Sequence, residues 1–304
     1  MTVFNLKRVS AGVENITNGE PTAVSLGIFD GVHIGHRAVL NSANKSGFKT
    51  AVFTFLSETV TTKGNKGVIY PDEKKLEILK GLNIDYVLSP SFSDFKDMSA
   101  EDFVKDILVE AFNAKWVFCG EDFRFGKGAE AGVSKLSELC RKYGIELSVT
   151  PPVMYKGQAV SSTRIKNALI SGDISSANDM LYEKFGYFEK VIHGNEIGRT
   201  LRFPTVNQAI PEKTVLPRFG VYLTEVEVFG KTYRGVSNVG VKPTVGNKEP
   251  LIETHILDFS GDLYGESLKV KLIKFLREEK RFASLNELKR QVDFDIQNAR
   301  REVL

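Results

Sequence analysis

Two histidines in a glycine-rich stretch have the type and spacing for phosphate chemistry. Residues 25–36 read Ser-Leu-Gly-Ile-Phe-Asp-Gly-Val-His-Ile-Gly-His. His33 and His36 are three residues apart and therefore project from one face of a helix's first turn, where free N–H groups and the helix dipole favour an anion. The stretch predicts stabilisation of charge on a phosphate under attack, whereas one capping and one packed histidine is the simpler interpretation of H-x-G-H alone. Tight turning and close approach of the backbone to a ligand are expected at Gly27, Gly31 and Gly35.

Three further sets of residues have the chemistry to contact a phosphate, a metal ion or a planar ligand. At a predicted helix start, hydroxyls, amides and a guanidinium would bind pyrophosphate, although a serine there commonly only caps the helix; these residues are Ser162, Thr163 and Arg164. Thr205 and Asn207 are two apart on an extended segment and offer two oxygens to Mg²⁺, although strand surface is the simpler interpretation. A glycine-rich segment offers rings and polar groups to a planar ligand from Asp122, Phe123, Arg124 and Phe125, although a loop with two core phenylalanines is the simpler interpretation.

The composition limits the classes of protein to consider. The 304 residues are 42% hydrophobic and 26% charged, which is ordinary for a globular protein and long enough for two domains. A net charge of +3 provides no strong field for nucleic acid or an anionic membrane. No signal-like segment and no run of ~20 apolar residues occurs, so we expect a cytoplasmic protein. Cys119 and Cys140 form no metal or redox motif and are expected to be buried, reduced thiols.

The first half of the chain predicts an α/β domain. Apolar runs alternate with segments of helical periodicity, which implies a parallel sheet covered on both faces. The predicted strands span residues 22–28, 50–55, 85–88, 115–119 and 145–149. Ser99, with Asp102 three residues later, marks one helix start. Because ligands bind beyond the carboxyl ends of such strands, we expect the site around His33 and His36 at that edge of the sheet.

The second half predicts a small antiparallel β-barrel. The pattern changes near residue 184, which predicts domains over residues 1–184 and 185–304. The predicted strands span residues 187–193, 221–229, 232–239, 252–258 and 268–275. A short turn is predicted at residues 229–231, and Ser284 with Glu287 makes a capping box that begins a C-terminal helix. The apolar stripe expected to pack this helix on the barrel comprises Leu285, Leu288, Val292, Ile296 and Ala299.

The first half resembles a known nucleotidylyltransferase. Gly27-Ile-Phe-Asp-Gly-Val-His-Ile-Gly-His36 is similar to the G-x-F-D-x-x-H-x-G-H signature of small nucleotidylyltransferases related to class I aminoacyl-tRNA synthetases. It is most similar to that of the bacterial bifunctional riboflavin kinase/FMN adenylyltransferase (FAD synthetase) family. The resemblance implies a Rossmann-like domain with His33, His36 and Arg164 as catalytic residues. It also implies nucleotide or phosphate contacts from Gly27, Phe29, Asp30, Gly31, Ser162 and Thr163, and flavin contacts from Asp122 and Phe125.

The second half resembles the riboflavin kinase of that family. Residues 193–207 are similar to a segment ending in P-T-A-N, which implies that Thr205 and Asn207 hold the Mg²⁺ of ATP. The segment Glu-Thr-His-Ile-Leu-Asp-Phe resembles E-x-H-x-L-x-F and implies Glu253 as general base for the riboflavin 5′-hydroxyl. R-x-E-x-x-F implies a flavin contact from Arg277. The glycine-containing loop implies phosphate contacts from Gly194, Gly198 and Arg199.

Together the motifs imply an enzyme that makes flavin cofactors. Riboflavin and ATP would give FMN and ADP in the second domain. FMN and a second ATP would give FAD and pyrophosphate in the first domain, with Mg²⁺ as the metal. The implied partners are these small molecules, with no nucleic acid and no membrane, and the chain is expected to be a monomer or a weak homo-oligomer.

Several positions depart from the family's pattern. Arg202 stands where the family has glycine, Lys166 and Lys242 stand where it has arginine, and residues 56–59 replace a D-P-H-P segment. A lysine provides a point charge in place of the planar, two-pronged guanidinium of arginine. An arginine is strained wherever the family's glycine has a positive φ. Three alternatives stay open: a homologue with one of the two activities, a flavin- or nucleotide-binding protein without catalysis, and a transferase acting on another small phosphate.

Overall fold

The chain forms two compact units, residues 1–162 and residues 163–304. The computed structural model describes residues 1–4, 15–56, 67–192, 203–241 and 249–302. Each unit is built around one six-stranded sheet. The sheet of the first unit is parallel and that of the second is antiparallel, as the two halves of the sequence predict.

The parallel sheet forms the centre of the first unit. Its strands are β1 (Thr2–Phe4), β2 (Thr22–Leu26), β3 (Lys49–Phe53), β4 (Tyr86–Leu88), β5 (Ala114–Gly120) and β6 (Glu146–Thr150). They are hydrogen-bonded in the order β1-β4-β3-β2-β5-β6. The five predicted strands are confirmed. The three-residue edge strand β1 is too short for its periodicity to be read from the sequence.

Helices cover the sheet between its strands. They are α1 (Ile34–Asn44), α2 (Asp72–Gly81), α3 (Phe92–Phe95), α4 (Ala100–Asp102, continuing as a π-helix over Phe103–Ala111) and α5 (Val133–Lys142). The predicted start at Ser99 is confirmed, because its hydroxyl accepts a hydrogen bond from the Asp102 N–H at 3.0 Å. A hairpin of β7 (Met154–Tyr155) and β8 (Gln158–Ala159), which the sequence pattern did not predict, follows β6.

The central strand β2 is buried on both faces. Val24 and Leu26 pack in a cluster with residues of α4 and α5, whereas Ala23 packs on the other face with Val39 and Ala43 of α1. Such two-sided burial explains why the strand is mostly apolar and shows no alternation of apolar and polar residues. It also fixes the carboxyl end of β2, from which the histidine stretch begins.

The two cysteines lie in this core. Cys119 and Cys140 are buried, free thiols, as predicted. Burial raises the pKa of the Cys119 thiol to about 12 and that of the Cys140 thiol to about 11. Because the thiolate is the nucleophile, both side chains are unreactive at neutral pH.

The second unit is a nearly closed antiparallel barrel. Its strands are β9 (Gly186–Lys190), β10 (Val206–Ala209), β11 (Gly220–Val228), β12 (Lys231–Val241), β13 (Pro250–Ile256) and β14 (Ser267–Arg277), in the order β10-β13-β12-β11-β14-β9. The edge strands meet through a bridge between Ile192 and Asn207. The buried amide of Gln208 supports this closure by donating to the carbonyl oxygen of Leu268 at 2.8 Å. The five predicted strands are confirmed, and β10 corresponds to the extended segment predicted around Thr205.

A two-residue turn joins β11 to β12 where the sequence predicts it. Phe229 and Gly230 have φ of 48° and 76°, and Val228 pairs with Lys231. Positive φ at both central residues is type I′ geometry, whose twist matches that of the flanking strands.

Among the described residues from 162 onward, three helices accompany the barrel strands. They are α6 (Ser162–Ser171), α7 (Ile174–Met180) and α8 (Leu285–Arg301). Helix α7 lies against β14, where the Asn178 amide donates to the carbonyl oxygen of Leu272 at 2.9 Å. Residues 163–184 therefore pack with the barrel, and the functional boundary near residue 184 stays a prediction.

The C-terminal helix begins at the predicted capping box. The Ser284 hydroxyl accepts from the Glu287 N–H at 3.2 Å, and the Glu287 carboxylate accepts from the Ala283 N–H at 3.0 Å. Of the predicted apolar stripe, Ala299 is buried in a cluster of the barrel and Ile296 packs against it. Leu285, at the start of the helix, is 59% exposed and lies outside that contact.

We expect Gly186→Ala to destabilise the barrel by about 3 kcal/mol, because a Cβ there would overlap the carbonyl oxygen of Val270 and lie 2.7 Å from the Cα of Lys271. Backbone atoms cannot move away without breaking the pairing of β9 with β14. Gly230→Ala is the control, since no atom lies within 4 Å and only the left-handed φ penalty of about 1 kcal/mol applies. Calorimetry that finds the same unfolding temperature for both variants would contradict this.

Candidate active sites

The histidine stretch forms a tight turn and a helix start at the carboxyl end of β2. Residues Asp30–Val32 make one 3₁₀ turn, and His33 is the N-cap of α1. The His33 Nδ1 accepts a hydrogen bond from the His36 N–H at 3.2 Å. The two rings stack with centroids 3.6 Å apart and planes at 17°. The simpler interpretation of the motif is therefore also correct for His33, which caps the helix while remaining beside His36.

Burial keeps both rings neutral. His33 is 5% exposed, and loss of water lowers its pKa from 6.5 to about 4. The pKa of His36 is lowered well below 6.5, first by burial and then by the charges of His33 and Lys75. A neutral His33 whose Nδ1 accepts a hydrogen bond carries its proton on Nε2. The Nε2–H is therefore a hydrogen-bond donor at neutral pH.

We expect the stability of the first unit to fall as the pH drops from 6.5 toward about 4. Within that interval the unfolded chain binds a proton that the folded chain excludes at His33, so the stabilisation is complete above pH 6.5 and is lost on acidification. The change for His33 is on the order of 3 kcal/mol. Urea unfolding followed by fluorescence of Trp116, the only tryptophan, measures it.

The matched variant for this pH test is His33→Asn. Asparagine is a favoured N-cap residue, so it replaces the capping hydrogen bond without the titration. The variant should lose less stability than the wild type over the same pH interval. Equal acid dependence of the two proteins would show that the pKa of His33 is not lowered by folding.

At two glycines of the turn, an added Cβ would meet atoms of neighbouring side chains. Gly31 has φ of +79°, and a Cβ there would lie 2.7 Å from the Ile69 Cδ1. A Cβ at Gly35 would lie 3.1 Å from the His33 ring. Positive φ is thus required at Gly31, whereas Gly35 makes room for the capping imidazole.

Phe29 packs against the histidine pair from the core. It is 1% exposed, and its ring meets that of His36 edge to face with centroids 5.2 Å apart. A Cβ at Gly27 would lie 3.1 Å from the Phe29 ring. Gly27 and Phe29 therefore help to position the His36 ring. Their contacts with a nucleotide stay a prediction.

Asp30 joins the turn to two other segments. Its Oδ1 accepts from the Ile69 N–H at 2.7 Å, and its carbonyl oxygen accepts from the Ser162 hydroxyl at 2.9 Å. Ser162 is the first residue of α6, and Thr163 and Arg164 follow in its first turn. The phosphate contacts of these residues stay predictions.

A cavity of about 730 Å³ lies beside the second glycine-rich segment, at the carboxyl end of β5. Asp122 and Phe123 line it, together with residues at the start of α5. Phe125 is 6% exposed and instead packs on Phe103, with ring centroids 5.4 Å apart. Phe123 is therefore the ring that a planar ligand in this cavity would meet, and a direct flavin contact from Phe125 stays a prediction.

Thr205, Asn207 and Glu253 meet on neighbouring strands of the barrel. Asn207 of β10 pairs directly with Glu253 of β13, and the Thr205 hydroxyl donates to the Glu253 Oε1 at 2.8 Å. Val206 pairs with Thr254 at the position next to the pair of Asn207 and Glu253. These two residues face the other side of the sheet, where Thr254 is fully buried. One hydroxyl, one amide and one carboxylate thus share one face of the sheet.

Two families match the chain, one on each half. The family described as FAD synthetase matches residues 15–164, and the family described as riboflavin kinase matches residues 181–303. The curated bifunctional riboflavin kinase/FMN adenylyltransferase of Escherichia coli (strain K12) is 35% identical over 95% of this chain and 96% of its own length. That of Buchnera aphidicola subsp. Schizaphis graminum is 33% identical over 97% of this chain and 95% of its own. The chain belongs to the bifunctional riboflavin kinase/FMN adenylyltransferase family.

A solved structure has the same two-unit fold. It is named a macrolide-efflux protein from Streptococcus pneumoniae, and it is 27% identical over 100% of both chains with a TM-score of 0.85. That name describes the S. pneumoniae protein. In the described part of this family member, no helix is long and apolar enough to cross a membrane.

Some residues expected from the family's motifs lie outside the described residues. The phosphate-loop predictions and most of the departures from the family pattern fall there: Gly194, Gly198, Arg199, Arg202, Lys242 and residues 57–59. Lys166, the remaining departure in a phosphate motif, is 4% exposed on α6.

Arg277, a flavin-contact residue by the family's motif, is tied to the C-terminal helix. Its Nη2 lies 2.7 Å from the Oδ2 of Asp295 on α8, and its Nε lies 3.0 Å from the same oxygen. Asp295 is 4% exposed and also accepts from the Gln291 amide at 3.0 Å. Asp295 is not predicted from the sequence, where its one signal is that a carboxylate lies next to the apolar stripe. The flavin contact of Arg277 stays a prediction.

Two polar residues near the kinase motif were also missed. Asn238 of β12 pairs directly with Glu253 of β13, and its amide donates to the Glu279 carboxylate at 2.9 Å. A Cβ at Gly240 would overlap that carboxylate. The segment after β14 therefore crosses β12 closely at this point. Glu279 lies in the R-x-E-x-x-F motif, but no sequence pattern shows that it meets Asn238.

Proposed function

We propose that two separate sets of residues carry the two activities of the family in this chain. The chain is a riboflavin kinase and FMN adenylyltransferase, with ATP, riboflavin, FMN and FAD as its substrates and products. The observation that carries the assignment of residues is the meeting of Thr205, Asn207 and Glu253 on β10 and β13. The histidine pair, in the other unit, serves the second reaction.

In the barrel, Glu253 is the general base for phosphorylation of riboflavin. Its carboxylate takes the proton of the riboflavin 5′-hydroxyl as that oxygen attacks the γ-phosphate of ATP, giving FMN and ADP. The hydroxyl of Thr205 donates to one carboxylate oxygen and fixes the orientation of the group. Positioning of base, acceptor and phosphate supplies most of the rate in such a transfer.

The residues beside Glu253 fit Mg²⁺. A threonine hydroxyl and an asparagine amide oxygen are hard oxygen donors of the kind that this ion takes. Among the described residues, no three His, Cys, Asp or Glu side chains cluster to hold a metal, so the hydroxyl and amide oxygens carry the assignment. Thr205 and Asn207 would hold the ion, which when bound neutralises charge on the phosphates of ATP.

In the first unit, His33 and His36 support transfer of the adenylyl group to FMN. The FMN phosphate attacks the α-phosphate of ATP, pyrophosphate leaves, and no protein nucleophile is required. The Nε2–H of a neutral His33 donates to the phosphate oxygens as charge develops on them, and the stacked His36 ring lies beside it. Ser162, Thr163 and Arg164, at the start of α6, would hold the departing pyrophosphate.

A chromatographic time course tests this assignment against its alternatives. Purified protein receives ATP and Mg²⁺ with either riboflavin or FMN. Passage of riboflavin through FMN to FAD supports both sites, whereas FMN that accumulates without FAD indicates a single-activity kinase. FAD made only from supplied FMN indicates loss of the kinase activity, and Arg202 is the first residue to test as its cause. No product in either tube favours a flavin- or nucleotide-binding protein.

We further infer that the chain works in the cytoplasm as a monomer or weak homo-oligomer. Use of ATP as substrate and two buried, free thiols support a reducing, nucleotide-rich compartment. Light scattering of the eluted protein over a range of concentrations measures the oligomeric state. Binding to nucleic acid is not expected from a net charge of +3.

A further inference from the structure

A fully buried lysine lies in the first unit, and the transfer mechanism does not use it. Lys75 on α2 is 1% exposed. Its ammonium donates to the carbonyl oxygen of Phe55 at 2.7 Å and lies 2.9 Å from the Oδ1 of Asp72. Removing an ammonium from water is costly even when it is paired, and an apolar side chain of similar volume would avoid that cost. The buried charge therefore calls for a role beyond packing.

The partners of Lys75 are the segments that hold the histidine turn. Directly after β3, the Thr54 hydroxyl donates to the carbonyl oxygen of Ile28 at 2.8 Å. Shortly before α2, the Ile69 N–H donates to the Asp30 carboxylate at 2.7 Å. Ile28 and Asp30 lie on either side of the first residue of the turn. Lys75 links the end of the first segment to the start of α2 and so closes a ring of contacts around it.

The charge of Lys75 also acts on His36. It is one of two charges that lower the pKa of His36, the other being that of His33. Two carboxylates lie in the same ring of contacts: Asp72, which is paired with Lys75 on α2, and Asp30 in the turn, which accepts from a backbone N–H. The net field at His36 therefore depends on the balance between Lys75 and Asp72.

We propose that Lys75 is a positioning residue for adenylyl transfer, which ties the segment after β3 to the start of α2 and acts on His36 through its charge. This inference rests on the proposed function of the histidine turn. Because Lys75 is enclosed, it acts through its neighbours and not by touching ATP or FMN. Loss of its charge lets His36 bind a proton at a higher pH, and loss of the Asp72 charge has the opposite effect.

The test compares Lys75→Gln with Asp72→Asn in the full chain, by the pH dependence of kcat for FAD formation from FMN and ATP. Glutamine retains a donor for the Phe55 carbonyl and removes the charge. We expect Lys75→Gln to lower kcat about tenfold at neutral pH and to move the acidic limb to higher pH. Asp72→Asn should move that limb to lower pH. Lys75→Arg, which retains the positive charge, should keep the acidic limb at its wild-type pH. Lys80→Gln, on the exposed side of α2, is the matched control.

Formation of FMN from riboflavin by the same chain is the internal control and should not change. The inference is wrong if Lys75→Gln lowers only the unfolding temperature while kcat and the pH profile stay at wild-type values. It is equally wrong if both variants move the acidic limb in one direction. Should Lys75→Gln not fold, an unmoved limb in Asp72→Asn overturns the inference. A wild-type chain that makes no FAD from FMN contradicts the proposed function, and the inference falls with it.

Discussion

Replacement of Glu253 by glutamine is expected to stop the conversion of riboflavin to FMN while FAD formation from supplied FMN continues. Glutamine keeps the shape of the side chain and can still accept the hydrogen bond that the Thr205 hydroxyl donates at 2.8 Å. It cannot take the proton of the riboflavin 5′-hydroxyl. Loss of a positioned base lowers kcat by about 10²–10⁴-fold. Initial rates with each flavin, measured chromatographically, give the two activities separately.

The matched control is Glu227→Gln, which makes the same change at an exposed position on β11 of the same barrel. It should form FMN at the wild-type rate. If Glu253→Gln also forms FMN at that rate, Glu253 is not the base. If the folded variant loses FAD formation as well, the separation of the two sites is wrong.

The second large effect is expected for His36→Ala, which should lower FAD formation about 10²–10³-fold and leave FMN formation unchanged. The substitution removes the ring that stacks on His33 but retains the backbone N–H that bonds to the His33 Nδ1. The capped start of α1 therefore persists. Steady-state rates with FMN and ATP measure the loss, and the fluorescence of Trp116, on β5 of the same unit, reports the folding of that unit.

Asn41→Ala, at an exposed position further along α1, is the control for that helix. It should transfer adenylyl groups at the wild-type rate. Retention of full FAD formation by His36→Ala would remove His36 from the mechanism. The site would then depend on His33 and on the start of α6.

The elements of the fold were predictable where a residue's neighbours along the chain decide its structure. The two-sided burial of β2 follows from its mostly apolar residues, and the start of α8 follows from Ser284 and Glu287. The hairpin of β7 and β8 has only two residues on each strand, too few for any alternation to be read.

The candidate sites were predictable only in part. The spacing of Thr205 and Asn207 predicts their common direction, but that Glu253 lies beside them depends on the pairing of β10 with β13, which are more than 40 residues apart in the sequence. Lys75 reads as one of several lysines in a charged helix. Its burial and its contact with Phe55, a residue shortly after β3, are visible only in the structure.

The burial of both native cysteines makes this chain a convenient host for chemical probes. Neither Cys119 nor Cys140 presents a thiolate at neutral pH, so a maleimide dye would find no native target in the folded protein. A single cysteine introduced on the surface would therefore be the one labelled position without prior removal of the others. Fluorescence from such a label could follow flavin binding in either unit while both catalytic sites keep their natural residues.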